Sequence, residues 1–290
     1  MSNSHEREVD ELSGTETTGH VWDGIKELNT PLPRWWLWTF YGTIIWAIGY
    51  VIAYPAIPLI SGATSGVLGY SSRGALDDKL ELAKEAQAVF VDQIASMSVD
   101  DIVANDELAR FARAGGASVF KVYCTQCHGS GAQGGNGYPN LNDDEWIWGG
   151  SVDQIYTTIA HGARYDADPD THINEMPVFG DDYLSPEEIE SVSKYVASLS
   201  GVEGGAATEE GKTLFEDNCV ACHGEGGAGE PDLGAPALNN AIWLYGGTLA
   251  DIEAQVTRPR HGEMPAWSLK LDDATVKELA VYVHSLGGGQ

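Results

Sequence analysis

Two stretches, "YCTQCHGSG" starting at Tyr123 and "NCVACHGEG" starting at Asn218, each place two cysteines three positions apart with a histidine directly after the second. A bare Cys-x-x-Cys can be redox-active or half of a zinc site, but the adjoining histidine favours covalent attachment of a c-type haem. In that chemistry both sulfurs become thioethers to the macrocycle, and the histidine supplies one axial bond to iron. Cys124, Cys127, Cys219 and Cys222 are the only cysteines in the chain. With both motifs loaded no thiol remains for a disulfide framework, so cysteine count says nothing about redox compartment.

Each iron then needs a sixth ligand. A methionine thioether favours the reduced metal and raises its potential into an electron-transfer range. Of four methionines, Met1 starts the chain and Met97 lies in the linker helix, whereas Met176 and Met264 each stand in a Glu-Met-Pro run. Proline after the ligand holds the backbone in a loop that can present sulfur. A methionine is otherwise core filler, but two of four falling in equivalent places favours ligation. His161, His172 and His261 are competitors for the sixth position, and bis-histidine ligation would lower the potential. Arg164, Arg258 and Arg260 could pair with haem propionates, and Trp146, Trp148 and Trp243 could wall the haem crevices. With both axial positions filled, substrate cannot reach iron, which points to electron carriage. No Ser/His/Asp set or phosphate-binding loop stands elsewhere.

The elements that must position these residues form an internal repeat. Phe120 and Phe215 precede the first cysteine of each motif by four residues. Gly-rich loops lead to "WIWGG" (Trp146–Gly150) or "IWLYGG" (Ile242–Gly247), then to the Met-Pro runs. Each copy closes with an amphipathic segment, "SPEEIESVSKYVASLSG" and "DDATVKELAVYVHSLGG", with Ser185/Glu188 and Asp272 as start signals. The expected fold is all-α, with two tandem cytochrome c-like domains at 107–201 and 206–290.

Ahead of them, no charged residue occurs between Arg34 and Arg73. Trp35–Ile60 is mostly apolar and long enough to span a bilayer, with Trp35, Trp36 and Trp38 as an interfacial belt. Pro55 and Pro58 should kink or end the helix. An acidic segment precedes the span where a signal peptide would be basic, so residues 35–60 are read as an uncleaved anchor. Residues 1–34 are read as a polar tail on the cytoplasmic side, since Arg34 leans that way. Residues 61–106 form a Gly/Ser-rich connection and an amphipathic helix carrying Leu76, Leu80, Val89, Phe90 and Ile94. Its apolar face must pack on the haem domains or on a partner.

Of 290 residues, 43% are hydrophobic, and 43 acidic residues against 16 Lys and Arg give a net charge of -27. That excludes nucleic acid as a partner, since its binding depends on basic side chains. It favours a basic protein partner, although solubility alone also accounts for an acidic surface.

The lead-in "DGIKELNTPLPRWW" (Asp23–Trp36), followed by an apolar span and two haem motifs, resembles subunit III of cbb3-type cytochrome c oxidases. The haem motifs are generic to c-type cytochromes; the lead-in is far more specific. The resemblance implies a membrane-anchored dihaem subunit that accepts electrons from a cytochrome c donor. It would pass them to a monohaem subunit and so to the haem–copper subunit that reduces O2, in a proton-pumping complex. Such a chain is the electron-transfer part of an oxidase and not the O2-reducing part. The resemblance also implies a bacterial cytoplasmic membrane, periplasmic haem domains and two covalent haems c. One would sit on Cys124 and Cys127 with His128 and Met176 axial, the other on Cys219 and Cys222 with His223 and Met264 axial. A tethered carrier without a complex is a second reading. A dihaem peroxidase or dehydrogenase subunit is a third, disfavoured because a peroxidase needs an open iron position.

Overall fold

The computed structural model describes residues 8–287, and the chain divides into two compact units, residues 1–84 and 85–290. The first seven residues of the expected tail, His5 among them, and residues 288–290 of the expected second haem domain lie outside the described residues.

In the first unit, the segment before the span carries a β-hairpin, β1 (Thr17–Trp22) against β2 (Ile25–Leu28). Trp22 pairs with Ile25, leaving Asp23 and Gly24 as a two-residue turn with φ of 49° and 85°. Asp-Gly is the dipeptide that such a turn favours. Helix α1 (Arg34–Ala53) has 20 residues, none of them buried. At 1.5 Å per residue it is about 30 Å long, the thickness of a hydrocarbon core, and it anchors the chain in a membrane. The helix stops well short of residue 60. Tyr54, at φ -116° and ψ 161°, precedes Pro55, and a residue before proline is crowded out of the helical region. The chain then turns through β3 (Pro58–Leu59) and β4 (Gly62–Ala63). Val67 and Leu68 donate N–H to the Ile52 and Ala53 carbonyls at 2.9 and 3.2 Å, serving acceptors that a helix end leaves open. Gly66 makes this return possible, because its φ is +68° and a Cβ there would stand 2.4 Å from the Ala53 oxygen.

Helix α2 (Ser72–Ser96) runs across the unit boundary. Leu76, Leu80 and Leu82 are exposed, whereas in the second unit Ile94 is fully buried and Phe90 stacks on Phe111 at 4.9 Å. Within the second unit, the last turns of α2 thus pack their apolar face on that unit's core.

The second unit is helical: α3 (Val99–Ala104), α4 (Asp106–Tyr123), α5 (Thr125–His128), α6 (Val152–His161), α7 (Pro186–Leu199), α8 (Glu209–Asn218), α9 (Val220–His223), α10 (Leu249–Thr257) and α11 (Asp273–His284). The start signals hold: Ser185 and Glu188 form a reciprocal capping box on α7, and Asp272 caps α11 by accepting from Thr275 N–H. Ser151/Gln154 and Thr248/Asp251 make equivalent boxes on α6 and α10. Each cap satisfies donors that the first helical turn cannot, contributing about 1 kcal/mol.

The repeats do not close on themselves. One core joins Leu108, Ala112 and Phe120 of α4 and Ile155 and Ile159 of α6 to Val276, Leu279 and Val283 of α11. The other joins Ile189, Val192 and Val196 of α7 to Phe215 of α8 and Ile252 and Val256 of α10. The closing helix of each repeat thus completes the core of the other. The physical reason is local: α7 and α8 are joined by the short link 200–208, and helices joined that closely pack side by side. Gly116 on α4 lets α11 approach, since a Cβ there would fall 2.2 Å from the Glu278 carbonyl oxygen.

Candidate haem sites

Both Cys-x-x-Cys-His motifs occupy one tight helical turn at the end of a longer helix. The Cys124 carbonyl accepts from Cys127 N–H at 3.2 Å and His128 N–H at 2.9 Å. The Cys219 carbonyl does the same for Cys222 and His223, at 3.1 and 2.9 Å. Residues three and four apart share a helix face, so both sulfurs and the imidazole project on one side. All four cysteines are free thiols. Burial pushes the Cys124 and Cys219 thiols up to about 11, with the neighbouring cysteine adding to the effect. A redox-active Cys-x-x-Cys needs a depressed value, so thiol–disulfide exchange does not suit these sites.

The imidazoles are oriented alike. His128 Nδ1–H donates to the Pro139 carbonyl at 3.0 Å, and His223 Nδ1–H to the Pro236 carbonyl at 2.9 Å. A carbonyl only accepts, so the proton sits on Nδ1 and the Nε2 lone pair is left for a metal. Burial holds both rings below the usual histidine range despite these hydrogen bonds, which keeps them in the neutral, ligating form.

Around the first motif lies a cavity enclosing about 1260 Å³ out to its open mouth, and its wall comes from both repeats. Cys124, Cys127 and His128 face it together with Trp146, Trp148 and Met264. Met264, not Met176, therefore lines the cavity at the first motif, whereas sequence order pairs Met176 with that motif. Met264 travels with α11, and α11 belongs to the first core. Met176 packs against the second core with Cys219 and Trp243. Trp146 and Trp243 hold matching positions: a Cβ on Gly150 would meet the Trp146 ring at 2.8 Å, and one on Gly247 the Trp243 ring at 2.7 Å. The large apolar cavity, the free thiol pair and the oriented neutral imidazole fit a covalently held haem.

The competing histidines are engaged elsewhere. His161 Nδ1 lies 3.2 Å from the buried Asp168 carboxylate. His172 stacks on Trp148 at 4.1 Å and its Nε2 lies 3.1 Å from the Thr158 hydroxyl. His261 Nε2 accepts the Met176 N–H at 3.0 Å. Among the arginines, Arg258 reaches Asp181 at the surface and Arg260 donates to the Tyr245 carbonyl while lying over its ring. Arg164 lines the first cavity but donates to two backbone carbonyls, at Gly262 and Asn174. Its role was invisible in the sequence, where nothing relates residue 164 to residue 262.

Comparison with known proteins covers most of the chain. Residues 14–61 match the family model described as the N-terminal domain of cytochrome oxidase-cbb3, FixP. Residues 112–196 and 206–283 match that of cytochrome c oxidase, cbb3-type, subunit III. Among curated relatives, the cbb3-type cytochrome c oxidase subunit FixP of Sinorhizobium medicae is 56% identical over the full length of both chains. That of Rhizobium meliloti is 54% identical, also over the full length of both. The subunit CcoP of Cereibacter sphaeroides is 51% identical over 94% of this chain and 95% of its own.

Proposed function

Since the chain belongs to the subunit III family of cbb3-type cytochrome c oxidases, we propose that it is the membrane-anchored dihaem relay of such an oxidase. It accepts electrons from a cytochrome c donor on the periplasmic side and passes them, through a monohaem subunit, to the haem–copper subunit that reduces O2 and pumps protons. The observation that carries the reading is the duplicated site: two one-turn Cys-x-x-Cys-His motifs, each with its Nδ1–H on a proline carbonyl. A bound haem c supplies one-electron exchange at its iron.

The chain's own residues do the rest. Cys124 and Cys127 would hold the first macrocycle by two thioethers and Cys219 and Cys222 the second. His128 and Met264 would hold the iron at the first site, and His223 and Met176 at the second. Pro139 and Pro236 fix ring orientation and keep Nε2 basic. Trp146, Trp148 and Trp243 wall the sites against water, which together with methionine ligation favours a high potential. Helix α1 places these domains at the membrane, with the residues before it in the cytoplasm and lipid around it.

Purification in mild detergent through a tag on this chain tests the reading. Co-purification of b-type haem and O2-reducing activity is expected, with more than two c-type haems per copy of this chain by pyridine haemochrome, because the monohaem subunit adds its own to the two held here. Two c-type haems without b haem or oxygen consumption would make the chain a tethered carrier instead.

A further inference from the structure

The loops that deliver Met176 and Met264 meet at one short strap, Gly162–Ala163–Arg164, which follows α6. On one side, Ala163 and Met264 exchange both backbone hydrogen bonds at 2.9 Å. On the other, Arg164 N–H donates to the His172 carbonyl at 2.6 Å and His172 N–H to the Gly162 carbonyl at 3.3 Å. The Arg164 side chain then forks between the loops. Its Nε donates to the Gly262 carbonyl at 2.6 Å and its Nη1 to the Asn174 carbonyl at 3.1 Å. Gly262 stands two residues before Met264, and Asn174 two before Met176. Arg164 itself has φ of 55°, a left-handed conformation that a side chain adopts only at a cost and that surrounding structure must enforce. The guanidinium packs over the Trp148 ring, 5.9 Å from its centre, and Trp148 stacks on His172.

We propose that Arg164 is a positioning residue for both axial methionines, tying the two ligand loops to one strap so that the two iron sites are set together. The inference rests on the proposed ligation by Met176 and Met264. A planar fork of donors can bond two carbonyls at once, which an ammonium on a flexible stem does not reproduce. Lysine at this position keeps the charge and loses the fork, so it separates positioning from electrostatics.

The test uses the intact, haem-loaded oxidase carrying Arg164→Gln or Arg164→Lys. Two readouts are taken: the weak long-wavelength charge-transfer band of ferric, methionine-ligated haem, and a potentiometric titration of the c-type haems. Both variants are expected to lose more of the wild-type band than any one of the complex's c-type haems carries, and to lower the midpoints of both haems on this chain. An unchanged band, a loss limited to one haem's share with one midpoint moved, or an Arg164→Lys variant that behaves as wild type would overturn the proposal. Should Arg164→Gln fail to assemble, Arg164→Lys decides alone. Absence of the band from the wild-type protein would instead refute methionine ligation itself, before any variant is compared.

Discussion

At the scale of single residues, each site is a set of side chains whose alternatives have been removed. The thiols are free, with Cys124 and Cys219 held protonated by burial. The imidazoles are neutral with Nδ1 committed to a carbonyl. Cys124→Ser should leave the first haem on a single thioether. A retained vinyl group then extends the conjugation, and the reduced pyridine haemochrome band moves to longer wavelength for one of the two haems. An unshifted spectrum would mean that Cys124 forms no bond to the macrocycle. The eight candidate ligands and anchors were legible in the sequence because covalent haem attachment demands an unusual residue order. Which methionine lies near which motif was not, because Met176 and Met264 stand in near-identical Glu-Met-Pro runs and only tertiary packing distinguishes them.

Among the elements, the crossing of α4 and α11 closes the first site, and it buries a carboxyl. Glu278 lies against Gly115 and Gly116 and is 8% exposed; burial, reinforced by Asp272, pushes its pKa up to about 7. A carboxyl raised in the folded state holds a proton that the unfolded chain has released. The stability that this carboxyl contributes is therefore greatest in acid, falls as pH rises from the ordinary carboxylate range to about 7, and levels above it. Glu278→Gln keeps the shape and removes the titration. It should match the wild type at acid pH and exceed it by ~1–3 kcal/mol on the alkaline side, read from melting of the haem-loaded protein across that range. A variant with the wild-type pH dependence would show that Glu278 is not the group responsible.

The same scale shows what periodicity can and cannot tell. Helix starts were legible from Ser185, Glu188 and Asp272, since capping is local chemistry. The hairpin before the span was missed although Asp23-Gly24 announced it, because the flanking residues do not alternate between apolar and polar. The partners of α7 and α11 were illegible for another reason. Both offer a similar apolar stripe, so either could complete either core, and the short link from α7 to α8 settles the choice.

For the molecule as a whole, composition speaks to encounter. A net charge of -27 should draw a basic cytochrome c donor, so its second-order rate of electron delivery should fall by roughly tenfold or more from low to high salt. A rate indifferent to ionic strength would remove charge from the account of donor capture. Fold class and repeat were plain in the sequence, whereas the exchange of closing helices, a property of the pair of repeats, was not. That exchange underlies the whole assignment, because a first repeat closed by its own α7 would put Met176 on the first iron. A high-resolution electron cryomicroscopy map of the haem-loaded oxidase tests it most directly. The account predicts continuous density from the Met264 sulfur to the iron of the haem held by Cys124 and Cys127, with Met176 on the other. Density from Met176 to that first iron, with α7 folded back on α4, would contradict it.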